Sequence, residues 1–286
     1  MSRILKKRHA ILLNAIITVL VVIGAKLVAH SLGWEVISLN PLFSGIVAAN
    51  VFLMGFLLSG VLADYKESER LPGELAASIE TIADEAAIVY ESKKAEVAKQ
   101  FLEYLLGLTI SVKNWFHKKE HTRILMSTLG EMSHHFANLE GLTQANFIAR
   151  LKQEQSNIRR MLIRIHTVRE TSFIPSGYII AHVTSLLLVA GLILVKIDPF
   201  YESLFFVSVI TFLLRFLGLL IQDLDNPFGY YECDSVEDVS LKPLDDVIAR
   251  LREIDEHVDR AVESGVETQE NVPVSRNQYL LKPRTL

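Results

Sequence analysis

The chain has 286 residues, half of them hydrophobic, and a formal net charge of -4. A mean hydropathy of +0.30 is too high for most soluble folds and indicates a protein that lies in a bilayer. The near balance of charge excludes a basic nucleic-acid-binding surface, and the single cysteine, Cys233, excludes a disulfide framework within the chain.

Four stretches of the chain approach the roughly twenty apolar residues that are needed to cross about 30 Å of hydrocarbon. They lie at 10–29, 40–63, 178–197 and 204–221. The sequence therefore predicts an all-α, multi-pass membrane protein with four transmembrane helices in two hairpins. Basic residues precede the first stretch, as in a signal peptide, but its apolar run is longer than that of a typical signal, so we expect a retained span.

The basic residues indicate how these hairpins are oriented. The connectors at 31–39 and 198–203 contain no lysine or arginine, whereas the N-terminus and the segment after Asp64 are rich in both. Basic residues near the ends of spans remain on the cytoplasmic side of a membrane. Both termini are therefore predicted to be cytoplasmic, and we expect the protein in the cytoplasmic membrane.

The long segment between the second and third spans is charged, yet its apolar residues recur at helical spacing, as Ile79, Ile82 and Ala86 do. We therefore expect a cytosolic helical layer and not a loop. The second helix is predicted to run on past the bilayer until Pro72 kinks or ends it.

These features divide the chain into consecutive parts. We predict a first transmembrane hairpin at 1–63, a cytosolic helical region at 64–172, a second transmembrane hairpin at 173–229, a cytosolic C-terminal helix at 230–262 and a flexible tail at 263–286. The second hairpin ends in a turn directly after the last span, formed by Asn226, Pro227, Phe228 and Gly229.

The second span carries the most informative pattern. Asn40 followed by Pro41 is a good helix start, because asparagine caps the first turn and proline fits its first position. Further along, Ala48, Phe52 and Phe56 fall at i, i+4 and i+8 and therefore share one stripe. Such a stripe more often faces lipid or packs in a core than lines a pore, and the spacing alone leaves these alternatives open.

Two charged residues fall inside the predicted spans, where an unpaired charge costs a few kcal/mol. Lys26 lies near the outer end of the first span, so we expect its side chain to reach water and assign it no role. Arg215 lies deeper, about two turns from the inner end of the fourth span. We expect it to pair with a carboxylate such as Asp64 or Asp223; the alternative is that it lines a water-filled route for anions.

No phosphate loop, paired zinc-ligand motif or Ser/His/Asp arrangement is recognisable, so we expect no catalytic residues, no metal site and no cofactor. His117 and His121 are four residues apart and share a helix face. No carboxylate or thiolate at ligand spacing completes a metal site around them. A hydrated surface is the favoured interpretation of this pair.

Two segments of the chain resemble bestrophins. At 55–72 an apolar helix with phenylalanines on one face runs into a charged segment and a proline, as at the end of the second helix in that family. The Asn-Pro-Phe-Gly turn at 226–229 resembles the turn that follows the fourth helix there. The order and spacing of the spans agree over 1–262, and Tyr65 with Lys66, in place of the usual tryptophan pair, is similar to the divergent bestrophin-like branch.

The resemblance implies a homopentameric ring whose second helix lines a hydrophobic neck. Phe52 and Phe56 match the neck phenylalanines of the family, and Ala48 takes the outermost place, which is usually a larger aliphatic residue. Such a neck gates by dewetting, and the positive edges of its rings tolerate chloride or other small anions. The resemblance thus implies a chloride channel in the bilayer.

Two further points qualify this functional expectation. The residues at 230–234 are too sparsely acidic for a calcium site with six to eight oxygen ligands, so the calcium activation of animal bestrophins is not carried over. The alternative to a channel is a non-conducting membrane scaffold or sensor that binds a cytosolic partner through its helical region, because a fold can be kept while its function changes.

Overall fold

The computed structural model describes residues 2–171, 175–230 and 238–270, and these residues are almost entirely helical. The helices are α1 (Ser2–Ser31), α2 (Pro41–Lys93), α3 (Glu96–Phe116), α4 (Thr122–Leu139), α5 (Ala145–Glu170), α6 (Pro175–Leu194), α7 (Phe200–Leu224) and α8 (Lys242–Glu270). Two short strands, β1 (Ile37–Ser38) and β2 (Val195–Lys196), pair in parallel, with Ile37 opposite Val195.

Four helices, α1, α2, α6 and α7, are long and apolar enough to cross a membrane. They confirm the prediction of an all-α chain with four transmembrane helices in two hairpins. We call α1, α6, α7 and the part of α2 before Asp64 the transmembrane bundle. The rest of α2, together with α3, α4, α5 and α8, is the extramembrane half. The end of the bundle where α1 joins α2 and α6 joins α7 is called the connector end.

The second helix is continuous over 53 residues, which corresponds to about 80 Å at 1.5 Å per residue. Pro72 lies inside this helix and is buried. Of the two outcomes predicted for the proline, an end to the helix is therefore excluded. A proline removes one backbone hydrogen bond, but here packing of the surrounding apolar residues maintains the helix, since Leu71 and Leu75 on either side of it are also buried.

The extramembrane half has one hydrophobic core, to which all its helices contribute a face. Apolar residues at helical spacing form these faces, as the sequence predicts. Buried members of this core include Leu75, Ile82, Phe101, Leu105, Leu129, Phe136, Leu162 and Leu244. The last helix, α8, continues to Glu270, past the predicted boundary at 262, and the remainder of the predicted tail, 271–286, lies outside the described residues.

Within the bundle, α2 is held against α6 by polar and close apolar contacts. Asn50 is buried, donates from Nδ2 to Ser185 Oγ at 3.1 Å and accepts at Oδ1 from Thr184 Oγ1 at 2.8 Å. Nearer the connector end, a Cβ atom at Gly191 would lie only 3.1 Å from the ring of Phe43. These contacts fix which face of α2 turns inward.

Candidate functional site

The candidate site is the face of α2 that carries Ala48, Phe52 and Phe56. The helix begins as the sequence predicts: the Asn40 side chain accepts a hydrogen bond from the backbone N–H of Phe43 at 2.8 Å, and Pro41 occupies the first turn. The positive end of the helix dipole therefore lies at the connector end of the bundle.

The candidate face points away from the rest of the chain. Phe52 is 77% exposed and Phe56 is 60% exposed, and Ala48 is exposed as well. Residues two positions away, such as Asn50 and Met54, are buried against α6 and α7, since two residues correspond to about 200° of rotation around a helix. Both rings thus project from the bundle, and no other described part of the chain covers them.

Small residues flank the two phenylalanines on this face. Gly45 and Gly55 are exposed, and a Cβ atom added at either would meet nothing within 4 Å. Glycine and alanine allow helices in a membrane to approach each other closely. The surface around Phe52 and Phe56 therefore has space for a neighbouring helix that the chain itself does not supply.

Beyond the bilayer the same side of α2 becomes charged, with Glu67 and Glu74 as well as two basic residues. Lys66 and Arg70 are exposed, and Arg70 follows Phe52 by about five turns on the same side of the helix. The Arg70 guanidinium donates to Glu74 Oε1 at 2.9 Å, one turn further on. Lys66 thus contributes a positive charge between the apolar segment of the face and the Arg70–Glu74 pair.

Arg215 on α7 does not have the predicted carboxylate partner. Among the described residues its hydrogen bond goes from Nη2 to Asn14 Oδ1 on α1, at 3.2 Å. Asp64 instead lies 3.7 Å from Arg164 of α5. The prediction was wrong because Asp64 lies at the level of the extramembrane half, where Arg164 reaches it, while Asn14 lies at the depth of Arg215.

The turn at Asn226, Pro227, Phe228 and Gly229 connects α7 to the extramembrane core. Phe228 is fully buried there, with its ring centroid 5.6 Å from that of Phe116. The Pro227 carbonyl accepts a hydrogen bond from the backbone N–H of Val239 at 2.9 Å. Most of the segment considered for calcium, 231–234, lies outside the described residues.

Sequence reasoning missed an ion cluster at the connector end. Lys26 does not reach water: it is fully buried, and its Nζ lies 2.7 Å from Glu35 Oε1. The same Nζ donates to the carbonyl oxygens of Ile193, at 3.2 Å, and Val195. His30 Nδ1 lies 2.9 Å from the other carboxylate oxygen of Glu35. We call Lys26, His30 and Glu35 the connector-end ion cluster.

This cluster has a recognisable cause in the sequence. Glu35 is the single carboxylate in the connector at 31–39, and the β1–β2 pairing brings that connector beside the end of α6. Burial raises the pKa of Glu35, but hydrogen bonds from Lys26 and His30 outweigh it and hold the pKa below its ordinary value. The sequence signal for this cluster is a lysine inside a span together with one acidic residue in the adjoining connector.

Within the described ranges, no group of three or more His, Cys, Asp or Glu side chains could hold a metal ion. The ring of His117 packs against that of Tyr230, with centroids 5.4 Å apart.

Comparison with known proteins finds similar solved structures, but no similar family model or curated sequence. No protein-family model matches the chain, and no curated protein matches it. Structures of a bacterial bestrophin homologue from Klebsiella pneumoniae do match. One point variant superposes with a TM-score of 0.74 and 16% identity over 86% of this chain and 98% of that chain. The structure solved by Zn-SAD phasing gives 0.68 and 17%, over 86% of this chain and 97% of the other.

These matches show that the chain has a bestrophin-like fold, as the two sequence motifs indicated. Together with the four apolar helices, they identify a helical membrane protein.

Proposed function

We propose that the chain forms a bestrophin-like channel for chloride and other small anions, with α2 as the wall of its pore. The observation that carries the proposal is the exposed face of α2, where Phe52 and Phe56 are uncovered beside open space at Gly45 and Gly55. Several copies of this face around an axis form stacked apolar rings, which is a constriction of the kind that gates by dewetting.

Charge supports anions as the permeating ions. The positive end of the α2 dipole lies at the connector-end mouth of the proposed pore, and the edges of the phenylalanine rings carry partial positive charge. On the far side of the rings, the exposed Lys66 continues the same face. An anion that crosses the bundle along α2 thus meets favourable charge at the mouth and within the neck, and beyond the neck it meets Lys66 before the Arg70–Glu74 pair.

The proposed assembly is a pentameric ring in the cytoplasmic membrane. In it, the connector end lies outside, both termini lie in the cytoplasm and the extramembrane half forms the cytosolic layer. The proposed parts of the chain are those set out from the sequence, with the helical region at 64–172 continuous with the pore wall. The support is the absence of lysine and arginine from both connectors and the family resemblance.

The test is halide flux from liposomes that contain the purified protein. We expect flux from the unmodified protein, and several-fold more when Phe52→Ala and Phe56→Ala are combined, because smaller side chains widen and wet the neck. Phe205→Ala is the matched control: Phe205 is equally exposed but lies on α7, so its truncation should leave flux unchanged. Reversal potentials in unequal potassium chloride report whether the current is carried by anions.

Three results would contradict the proposal. Well-folded protein that gives no flux would exclude a channel. Flux that ignores the α2 substitutions, or that responds equally to Phe205→Ala, would remove α2 from the pore. A current carried by cations would remove the anion assignment while leaving the pore in place.

A scaffold or sensor is the second candidate function. It rests on large apolar side chains that the extramembrane half exposes, namely Ile88 on α2, Ile124 on α4 and Ile163 on α5. Exposed apolar surface of this kind suits a protein partner. Particle size in detergent separates the two candidates: a ring of five copies favours the channel, and a monomer or dimer favours the scaffold.

A further inference from the structure

A cavity of about 300 Å³ lies inside the transmembrane bundle, between α1, α2, α6 and α7. It is separate from the exposed face of α2, since Met54 on the inward side of that helix lines it. Its size is that of a small-molecule site and far exceeds the volume of a single halide ion. The cavity is therefore not explained by passage of chloride along α2.

Two hydrogen-bond donors in this cavity have no acceptor. Thr211 is 1% exposed, and its hydroxyl has no partner among the described residues. Arg215 uses Nη2 on Asn14, but its Nε is buried without a partner. Buried donors without acceptors are costly, and a cation at this depth more so. The missing partner is an acceptor, and opposite an arginine the most favourable acceptor is an oxyanion.

The depth of Arg215 suits the head of a membrane amphiphile. Its partner Asn14 lies four residues into the first apolar stretch, which begins at residue 10, and four residues correspond to about 6 Å of helix. The guanidinium thus extends to the boundary between acyl chains and headgroups, where long basic side chains in membranes place their charge. Lipid phosphates and carboxylates occupy the same boundary.

The cavity opens sideways, and most of its remaining lining is apolar, with Thr18, His182 and Ser185 as the other polar residues. Leu186 of α6 lines it and is 71% exposed, and the neighbouring His182 is exposed as well. The cavity therefore reaches the surface of the bundle on the side of α6 that also exposes Val183 and Leu187. Val189 and Leu214 supply an apolar lining deeper inside, which suits an acyl chain.

We propose that this cavity binds the oxyanion head of an anionic amphiphile, a phospholipid or a free fatty acid, which enters from the bilayer between α1 and α6. Arg215 and Thr211 donate hydrogen bonds to the oxyanion, and the acyl chain lies along the apolar lining. This ligand pairs the charge of Arg215, to which the described part of the chain offers a neutral amide as partner. The site does not depend on ion conduction and is measured without it.

The test is native mass spectrometry of the full-length protein released from nanodiscs. The discs contain phosphatidylcholine with a minor fraction of either phosphatidylglycerol or oleate, so the retained mass identifies the source of the oxyanion. We expect one anionic amphiphile per chain, retained against the neutral excess. Arg215→Gln should weaken retention about tenfold, which is the effect of one lost charge-assisted hydrogen bond.

Two variants test the same site without removing the charge. Gly218→Leu fills the cavity and leaves both donors in place; Gly218 has room, since the nearest atom to an added Cβ is the flexible Met54 methyl at 3.6 Å. Thr211→Val keeps the shape and removes one donor. Both should reduce retention, and they decide the question if Arg215→Gln does not fold.

Lys196→Gln is the control, because it removes an exposed positive charge at the connector end, far from the cavity. It should retain the amphiphile as the unmodified protein does. Equal loss in this variant would mean general attraction to a charged surface and would overturn the proposal. So would unmodified protein with no preference for anionic over neutral lipid, or full retention in folded Gly218→Leu together with Thr211→Val.

Discussion

The two halves of the molecule are stabilised in different ways. In the most apolar stretch of each of the four transmembrane helices, between 17% and 22% of the residues are buried. In the extramembrane half, one continuous core buries residues such as Leu75, Phe101, Leu105 and Phe136 completely. The extramembrane half therefore resembles a water-soluble helical bundle in its packing, whereas the transmembrane bundle leaves most of its apolar surface uncovered by the described part of the chain.

The bundle has two smaller apolar clusters, and polar contacts add specific links between its helices. Asn50 joins α2 to α6, Arg215 joins α7 to α1, and Lys26 joins α1 to the first connector and the end of α6. This follows from the solvent: apolar burial gains little free energy when the alternative is lipid, and hydrogen bonds and close packing hold helices together instead. One large apolar core therefore dominates the extramembrane half, whereas the bundle combines two smaller apolar clusters with buried polar links.

The largest effect should come from the extramembrane core. Phe136→Ala removes a fully buried ring and should lower the free energy of unfolding by about 3–5 kcal/mol. The measurement is an unfolding titration in mixed micelles, followed by fluorescence of the buried Trp115. A loss below 1 kcal/mol would show that this core is less tightly packed than the structure indicates.

Next should come the connector-end ion cluster. Glu35→Gln leaves Lys26 buried without its counter-charge and should cost about 3 kcal/mol, because breaking a buried ion pair is expensive. The double variant Lys26→Met with Glu35→Leu should recover most of this loss, since it removes both charges. A double variant no more stable than Glu35→Gln would show that the pair is not what stabilises this end.

The same cluster sets a dependence on acid. Because the pKa of Glu35 is held below its ordinary value of 4.5, its contribution is complete above that value and is lost as the pH falls through the lowered pKa. The unmodified protein should lose stability in this acid range, and the Lys26→Met, Glu35→Leu double variant should lose less. Equal acid sensitivity in both proteins would contradict the assignment.

The extramembrane half should show a smaller pH effect at higher pH. Burial lowers the pKa of His135, Glu131 opposes the shift and His134 adds to it; its ring lies against Phe101 and Tyr104. Stability from the neutral ring is therefore present above the ordinary pKa of 6.5 and decreases as the pH falls below it. His135→Phe should flatten the curve in this range, and His134→Phe, on the exposed side, should change it less.

The smallest effect on stability should come from the face of α2. Phe52→Ala changes a ring that is 77% exposed and should alter the free energy of unfolding of a single subunit by less than about 0.5 kcal/mol. Phe52→Ala and Phe136→Ala make the same change of side chain, the first at an exposed position and the second at a buried one. A large loss in dispersed subunits would mean that the ring packs within its own chain.

The difference between the halves also explains what could be predicted from the sequence. The four spans, the cap at Asn40 and the amphipathic helices of the extramembrane half follow from length and periodicity. The continuation of α2 through Pro72 does not, because packing of its neighbours decides whether a proline ends a helix. Periodicity likewise shows that Phe52 and Phe56 share a face, but not which way the face turns; the contacts of Asn50 with Ser185 and Thr184 determine that.

The partners of Lys26 and Arg215 were not predicted, for a related reason. Their charges are visible in the sequence, but the pairing partners are distant in it or belong to other elements. Lys26 contacts Glu35 only because β1 and β2 bring the connectors together, and Arg215 contacts Asn14, which lies two hundred and one positions away.

The unbroken length of α2 has a mechanical consequence. Consecutive turns of a helix are joined by backbone hydrogen bonds, so a rotation or tilt of one end of α2 also moves its other end. Because α3 and α8 pack against the same continuous helix that carries Phe52 and Phe56, a shift of either helix has a covalent, helical path through Pro72 to the level of the phenyl rings.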